Sequence, residues 1–294
     1  MSSIAFIDTE VSLKTHEILD IGSIKDNGNS FHSNSISDFT SFINGTSFIC
    51  GHNILRHDLI YLRRKIKGPG IDQLKVIDTL FLSPLLFPKK PYHHLLKDDK
   101  LQSEELNNPL NDSIKARDLF NDEVTAFNEL DNSLKSIYYL VLNDKIEFRS
   151  FFEYISFKPD TSVHLTDLIR QKFSEEICAN ADLNQFTTQY PIDLVYCLAI
   201  VNCRSRYSIT PPWVLKNYPE LERIMSLLRN KPCITGCPYC NKALDHHSGL
   251  NHFFGFESFR KYGDKPLQED AVKAALENKS FLVVFPTGGG KSIT

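Results

Sequence analysis

Apolar and polar positions divide the chain into an alternating front part and a helical remainder. Residues 3–10, SIAFIDTE, form a short apolar run that ends in acids and reads as a strand. Residues 17–28, EILDIGSIKDNG, read as a second strand closed by an Asn-Gly turn. SFICGHN (47–53) gives a third strand leading into a helical stretch, DLIYLRRKI (58–66). KVIDTLFLSPLLFP (75–88) adds another strand and a short helix stopped by prolines. From Asn111 to about Asn230 apolar residues recur every three or four positions, in IKARDLFNDEVTAFNEL, LKSIYYLVL, HLTDLIRQKF and ELERIMSLLR. ITPPWVLKNYP (209–219) interrupts that series and reads as a Pro-rich connector. A Cys-rich segment, CITGCPYCNKALDHH (233–247), follows. The last stretch reads as a helix (LQEDAVKAALENK), a strand (FLVVF, 281–285) and a Gly-rich loop.

Bulk properties narrow the class. The 294 residues are 41% hydrophobic and 23% charged, as in an ordinary globular protein. No apolar run approaches the ~20 residues that cross a bilayer, so no membrane association is expected. The start, MSSIAFIDTE, carries no basic stretch followed by an apolar core, and no secretory signal is read there. Seven cysteines, an odd number, fit a reducing, cytoplasmic setting with one metal site better than a disulfide framework. A net charge of -3 excludes a strongly basic coat for nucleic acid, though a local groove could still hold a strand.

Four acids carry the first candidate chemistry. Asp8 and Glu10 sit two apart at the end of the first strand, so both side chains face the same way. Two carboxylates there repel unless a cation lies between them; a solvated strand end is the plainer alternative. Gly51-His52-Asn53-Ile54-Leu55-Arg56-His57-Asp58 places Asn53 at the close of a strand and Asp58 on the next helix. Asn107-Asn108-Pro109-Leu110-Asn111-Asp112 opens a further helix with an acid near its first turn, and Ile77-Asp78-Thr79-Leu80 lies between the two segments.

In order and spacing these three segments resemble the motifs of the DEDD, DnaQ-like 3′→5′ exonucleases, over roughly residues 1–125. The spacing from Asn53 to Asp58 is most similar to that in B-family polymerase proofreading domains. The resemblance implies an α/β, RNase H-like domain, a mixed sheet flanked by helices. It also implies a two-ion Mg²⁺ or Mn²⁺ site held by Asp8, Glu10, Asp58 and Asp112, with Asp8 bridging both ions. Asn53 then contacts substrate or braces the site, or merely caps the following helix, and Asn107 is a substrate-side candidate. The family places a His five residues, or a Tyr four residues, before its last Asp; here those positions are Asn107 and Asn108. An amide can hold a water but cannot take its proton near neutral pH. Three readings stay open: the metals alone activate the water, His93 or His94 supplies a base, or the domain keeps only strand binding. Those histidines also read simply as polar residues at a helix start.

Cys233, Cys237 and Cys240 form a tight triplet whose thiolates can converge on one metal. A zinc site completed by a His six or seven residues on, with His247 as the chosen ligand, is one reading. Another is an iron–sulfur cluster completed by Cys197 or Cys203, and a third is a set of reduced structural thiols. Radical-SAM enzymes use a similar triplet, but after the first strand of a barrel, a setting the sequence does not offer. Cys50, Cys178 and Cys197 read as core residues.

Thr287-Gly288-Gly289-Gly290-Lys291-Ser292 is a phosphate-gripping loop: glycine amides wrap a phosphate, Lys291 reaches the outer phosphates and Ser292 holds Mg²⁺. With the upstream LNHFFGFESFRKYGDKPLQEDAVKAAL (250–276), it resembles the start of RecQ-like superfamily 2 DNA helicases. The resemblance implies that Gln268 reads adenine, with Phe259 and Arg260 nearby, and that the helicase, a RecA-like lobe here only begun, continues beyond Thr294. The expected organisation is an exonuclease domain (1–125), a helical connecting region (126–230), a Cys-rich metal element (231–250) and a helicase start (251–294). The expected function is two-metal 3′→5′ hydrolysis of DNA, acting on single-stranded 3′ ends and coupled to ATP-driven unwinding. The alternative is an inactive module that grips a strand or partner for the helicase.

Overall fold

A computed structural model describes residues 3–66, 69–93, 95, 108–159, 162–203, 210–233, 236–277, 279–285 and 288–290. His94, Asn107, Thr287, Lys291 and Ser292 lie outside the described residues. The chain packs into two compact units, Met1–Ser162 with Leu198–Asn217, and Val163–Cys197 with Tyr218–Thr294.

The first unit is built on a five-stranded mixed sheet. Its elements run β1 (Ile4–Val11), β2 (Ile18–Lys25), β3 (Ser30–His32), α1 (Ile36–Ile43), β4 (Phe48–Gly51), α2 (Asp58–Lys65), α3 (Pro69–Asp72), β5 (Lys75–Asp78) and α4 (Thr79–Leu86). The helices α5 (Pro109–Glu129), α6 (Asn132–Leu142) and α7 (Arg149–Tyr154) follow. The strands lie in the order β3-β2-β1-β4-β5. β1 to β3 pair antiparallel, while β4 and β5 run parallel to β1. The Asn27-Gly28 turn expected after β2 forms, with Gly28 at φ 87, and returns the chain as the three-residue β3. Neither β3 nor α1 is anticipated by the sequence pattern.

Period two decides what each face of β1 meets. Ala5 and Ile7 join Phe39 and Ile43 of α1 and Leu59 and Leu62 of α2 in one buried cluster. Phe6 points the other way and packs on Phe120 of α5, with ring centroids 5.7 Å apart. Asp8 and Glu10 share the face of Phe6, and Thr9 shares the face of Ile7. α5 buries Ser113, Ala116, Phe120, Glu123 and Phe127, a stripe at spacings of three and four. An aromatic cluster of Phe120, Phe127, Phe151 and Tyr154 anchors its far end.

The first turn of α5 presses on the sheet at one glycine. Gly22 pairs with Asp8 across β1 and β2. A Cβ at Gly22 would lie 2.0 Å from the backbone nitrogen of Leu110 and the carbonyl carbon of Pro109. No other residue type permits that approach.

The remaining helices are α8 (Leu165–Lys172), α9 (Leu183–Gln189), α10 (Pro191–Asn202), α11 (Pro212–Asn217), α12 (Glu220–Met225) with a π turn (Ser226–Asn230), α13 (Pro238–Ala243), α14 (His246–Phe254) and α15 (Leu267–Leu276). Two expectations are corrected. The Pro-rich connector contains α11, because Pro212 occupies the first helical position, where a missing N–H costs nothing. Residues 281–285 are irregular rather than a strand, and Phe281, Leu282 and Val284 are exposed. No strand beside them is found among the described residues, and an apolar run without a ladder partner leaves its amides unpaired.

Candidate functional site

At the end of β1, carboxylate oxygens of Asp8, Glu10 and Asp112 lie within 4.8 Å of one another. Each acid arrives by a separate device. Asp8 and Glu10 come from alternate positions of β1, on the face that α5 covers. Asp112 comes from the first turn of α5, whose start is fixed by Asn108. The Asn108 side-chain oxygen accepts from the amides of Leu110 and Asn111 at 3.0 and 3.3 Å. Pro109 at the first helical position adds to the cap. Gly22 then lets that turn sit against the strand opposite Asp8. Three like charges this close are stabilised by a cation between them, and carboxylate oxygens suit a hard divalent ion.

Asp58, the fourth acid expected at the site, is placed differently. It is 1% exposed and opens α2. One of its oxygens accepts from the amide of Thr9 at 2.8 Å and from the Thr9 hydroxyl at 2.7 Å. Asp58 thus meets β1 at the Thr9 backbone amide and hydroxyl, and it is not one of the three acids whose oxygens lie within 4.8 Å of one another. His57, half-exposed, places Nδ1 3.6 Å from that same oxygen. The Asp58 carboxylate beside it raises its pKa, against burial, with Glu10 adding in the same direction. Sequence reasoning passed over His57; its place directly before a motif acid was the available signal.

The loop that delivers Asp58 is braced from below. Asp78, fully buried at the end of β5, accepts from the amides of Asn53 at 2.8 Å, Leu55 at 3.1 Å and Leu80 at 3.0 Å. Burial pushes its carboxyl up to about 7 even so, the three amides opposing and Asp58 adding to the rise. Asn53 does not cap α2, whose cap position is His57. Its backbone takes φ 65 and its carbonyl accepts from the amides of Arg56 and His57, turning the chain sharply into the helix.

Of the two histidines considered as a base, His93 is described. It is buried, with Nδ1 2.9 Å from the Ser83 hydroxyl. Burial, then the Lys90 ammonium, depress its pKa to about 4, which leaves it a weak base. Asn108 spends its side-chain oxygen on the helix cap.

In the second unit the sulfurs of Cys178, Cys233, Cys237 and Cys240 lie within 4.8 Å of one another and can hold a metal such as zinc. The fourth position belongs to Cys178, expected in a core, and not to His247. Cys197 and Cys203 bond backbone carbonyls elsewhere, at Leu221 and Ile200. His247 joins His246 in facing one oxygen of Glu269, at 3.3 and 3.1 Å. The Lys273 ammonium sits 2.6 Å from that same oxygen and already balances its charge. Lys273, then His246, hold the Glu269 carboxyl down at about 2. His246 and His247 of α14 therefore meet a Glu269 carboxylate of α15 that Lys273 already pairs.

The Gly-rich loop is tied to the residues expected to act with it. Gln268 is 2% exposed; its amide nitrogen donates to the Gly290 carbonyl at 3.1 Å and its oxygen accepts from the Arg260 amide at 2.9 Å. Arg260 donates to the Gly288 carbonyl at 3.1 Å, and the Tyr262 hydroxyl donates to the carbonyl of Gly289. No family model, curated protein or solved structure matches the chain. Among the described residues no helix is long and apolar enough to cross a membrane.

Proposed function

We propose that the first unit is a divalent-metal-dependent 3′→5′ exonuclease of the DnaQ-like kind, acting on single-stranded DNA ends. The observation that carries this reading is the convergence of Asp8, Glu10 and Asp112 from a strand and a helix onto one point. The mixed sheet flanked by helices supports it, since that is the architecture the motif resemblance implied. Asp8, Glu10 and Asp112 would hold the Mg²⁺ or Mn²⁺, and Asp58, bonded to Thr9, which lies between Asp8 and Glu10 in β1, is the remaining acid. Bound there, such ions supply an activated water and charge stabilisation for phosphodiester hydrolysis. The chain's own part is positional: Gly22 and Asn108 set Asp112, Thr9 orients Asp58, and Asp78 fixes the turn that carries it.

One observation favours a slow enzyme, or the alternative of a strand-gripping module. The Asn108 amide, at one of the two positions where the family orients its water, is committed to a helix cap. For the second unit, the contacts of Gln268 and Arg260 with the glycine loop support reading 251–294 as similar to the P-loop segment of a RecQ-like, ATP-binding helicase, although both amide atoms of Gln268, expected to read adenine, are spent on Gly290 and Arg260. In that reading Thr287, Lys291 and Ser292 contribute the phosphate and Mg²⁺ contacts.

The test is degradation of a 5′-labelled single strand by the purified chain with Mn²⁺, with Mg²⁺ and with chelator. Stepwise shortening from the 3′ end in metal alone is expected. No shortening in either metal, together with retained strand binding, overturns catalysis in favour of the gripping module.

A further inference from the structure

We propose that Cys178, Cys233, Cys237 and Cys240 form a closed, tetrahedral zinc–tetrathiolate site. Its role is to pin the turn after α8 to the segment that carries α13. Four Zn–S bonds of about 2.3 Å set sulfur–sulfur edges of about 3.8 Å. The Sγ atoms of Cys178 and Cys237 are 3.9 Å apart, and all four lie within 4.8 Å. A disulfide needs about 2.05 Å, and none of the four cysteines is in a disulfide. The group is thus spaced as ligands around an ion and not as bonded pairs.

Local structure sets this spacing. Cys237 caps α13 and Pro238 opens it, so Cys240 falls one turn on, on the same side. Gly236, at φ 64, bends the chain between Cys233 and Cys237, and its carbonyl is held by the Asn241 amide at 2.8 Å. A Cβ at Gly236 would lie 2.8 Å from the Asn241 oxygen. Cys178 reaches the group because its own amide is anchored to the Leu228 carbonyl at 2.7 Å.

Backbone amides point at two of the four sulfurs. The amide of Cys237 donates to the sulfur of Cys233 at 3.2 Å. The amides of Ala179 and Cys240 donate to the sulfur of Cys237 at 3.4 and 3.5 Å. Amides aimed at the ligand sulfurs orient them and spread the charge of a complex that carries two net negatives once all four thiols release their protons to solvent. Four protein ligands leave no open position, so the metal does structural work and activates no water. It also closes the chain between Cys178 and Cys233 into a loop, a restraint on the unfolded chain that adds to stability.

The experiment is elemental analysis of the purified 294-residue chain and of its Cys178→Ser and His247→Ala forms, alongside visible spectra of the cobalt-substituted unmutated chain. One zinc per chain is expected in the parent and in His247→Ala, with loss of most of it in Cys178→Ser. The cobalt spectrum should carry the intense bands of tetrahedral four-sulfur ligation, a readout that survives even if Cys178→Ser does not fold. Four results would each overturn the site: no stoichiometric metal, a brown iron-containing protein, full zinc retained in Cys178→Ser, or a cobalt spectrum of three sulfurs and one nitrogen.

Discussion

Replacing Gly22 with alanine puts a methyl group where the first turn of α5 now lies. The added carbon would sit 2.0 Å from two backbone atoms, at Leu110 and Pro109. Opening that gap to an ordinary contact of 3.4 Å moves the strand and the turn apart by about 1.4 Å. Neither side is a flexible side-chain end, so the shift falls on the backbone that carries Asp112. Overpacking of this kind costs about 1–3 kcal/mol of stability. A displacement of about 1 Å in a catalytic constellation costs on the order of 100-fold in rate. Gly22→Ala should therefore lower the urea midpoint of the first unit modestly and lower nuclease turnover about 100-fold. The single tryptophan, Trp213, stacks edge-on against Phe81 at 5.2 Å within that unit, so its fluorescence reports the unfolding. The same methyl group placed at the exposed Gly70, which has nothing within 4 Å of its Cβ position, is the control. A Gly22→Ala protein with parental turnover and midpoint would refute the claim that this close approach sets the acid group.

Asp78→Ala leaves the amides of Asn53, Leu55 and Leu80 without their acceptor. It should cost about 3 kcal/mol or more by urea denaturation and reduce turnover by loosening the turn before Asp58; a change under about 0.5 kcal/mol would remove Asp78 as the brace. Glu123 lies fully buried in the core stripe of α5, and neither carboxylate oxygen finds a hydrogen-bond partner among the described residues. Burial, then Asp78, hold its carboxyl well above the usual range. A carboxyl raised in the folded state contributes stability that is full below its unfolded value, near 4.3, and is lost as pH rises towards the folded value. For Asp78 that loss runs up through about 7, and Glu123, raised in the same direction, adds to it. Glu123→Gln should flatten the fall in urea midpoint as pH rises above the ordinary carboxylate range; an unchanged slope would show that Glu123 is already ionised.

How much of this was legible depends on the range of each interaction. Asp8 and Glu10 on one face of a strand follow from period two alone, and the helix starting at Pro109 follows from its cap residues. Both are local, and both formed. The approach of α5 to Gly22 is not local: a glycine inside a strand says that something comes close, without saying what. Asp58 was legible as an acid at a helix start, but its bonds to the Thr9 amide and hydroxyl depend on how α2 packs against β1. Cys178 escaped because its neighbours in sequence look like helix end and core, and only the fold brings it to the triplet. The run 281–285 has strand composition yet stays irregular, since a strand is defined by its partner and composition supplies none.

The measurement that bears most directly on the exonuclease reading compares the parent chain with Asp8→Asn, purified identically, in release of 3′ nucleotides from a 5′-labelled single strand with Mn²⁺. Loss of at least about 100-fold in Asp8→Asn, with the urea midpoint of the first unit preserved, is the expected result. Equal rates in the two proteins would mean that the acids at the end of β1 are not the site of hydrolysis.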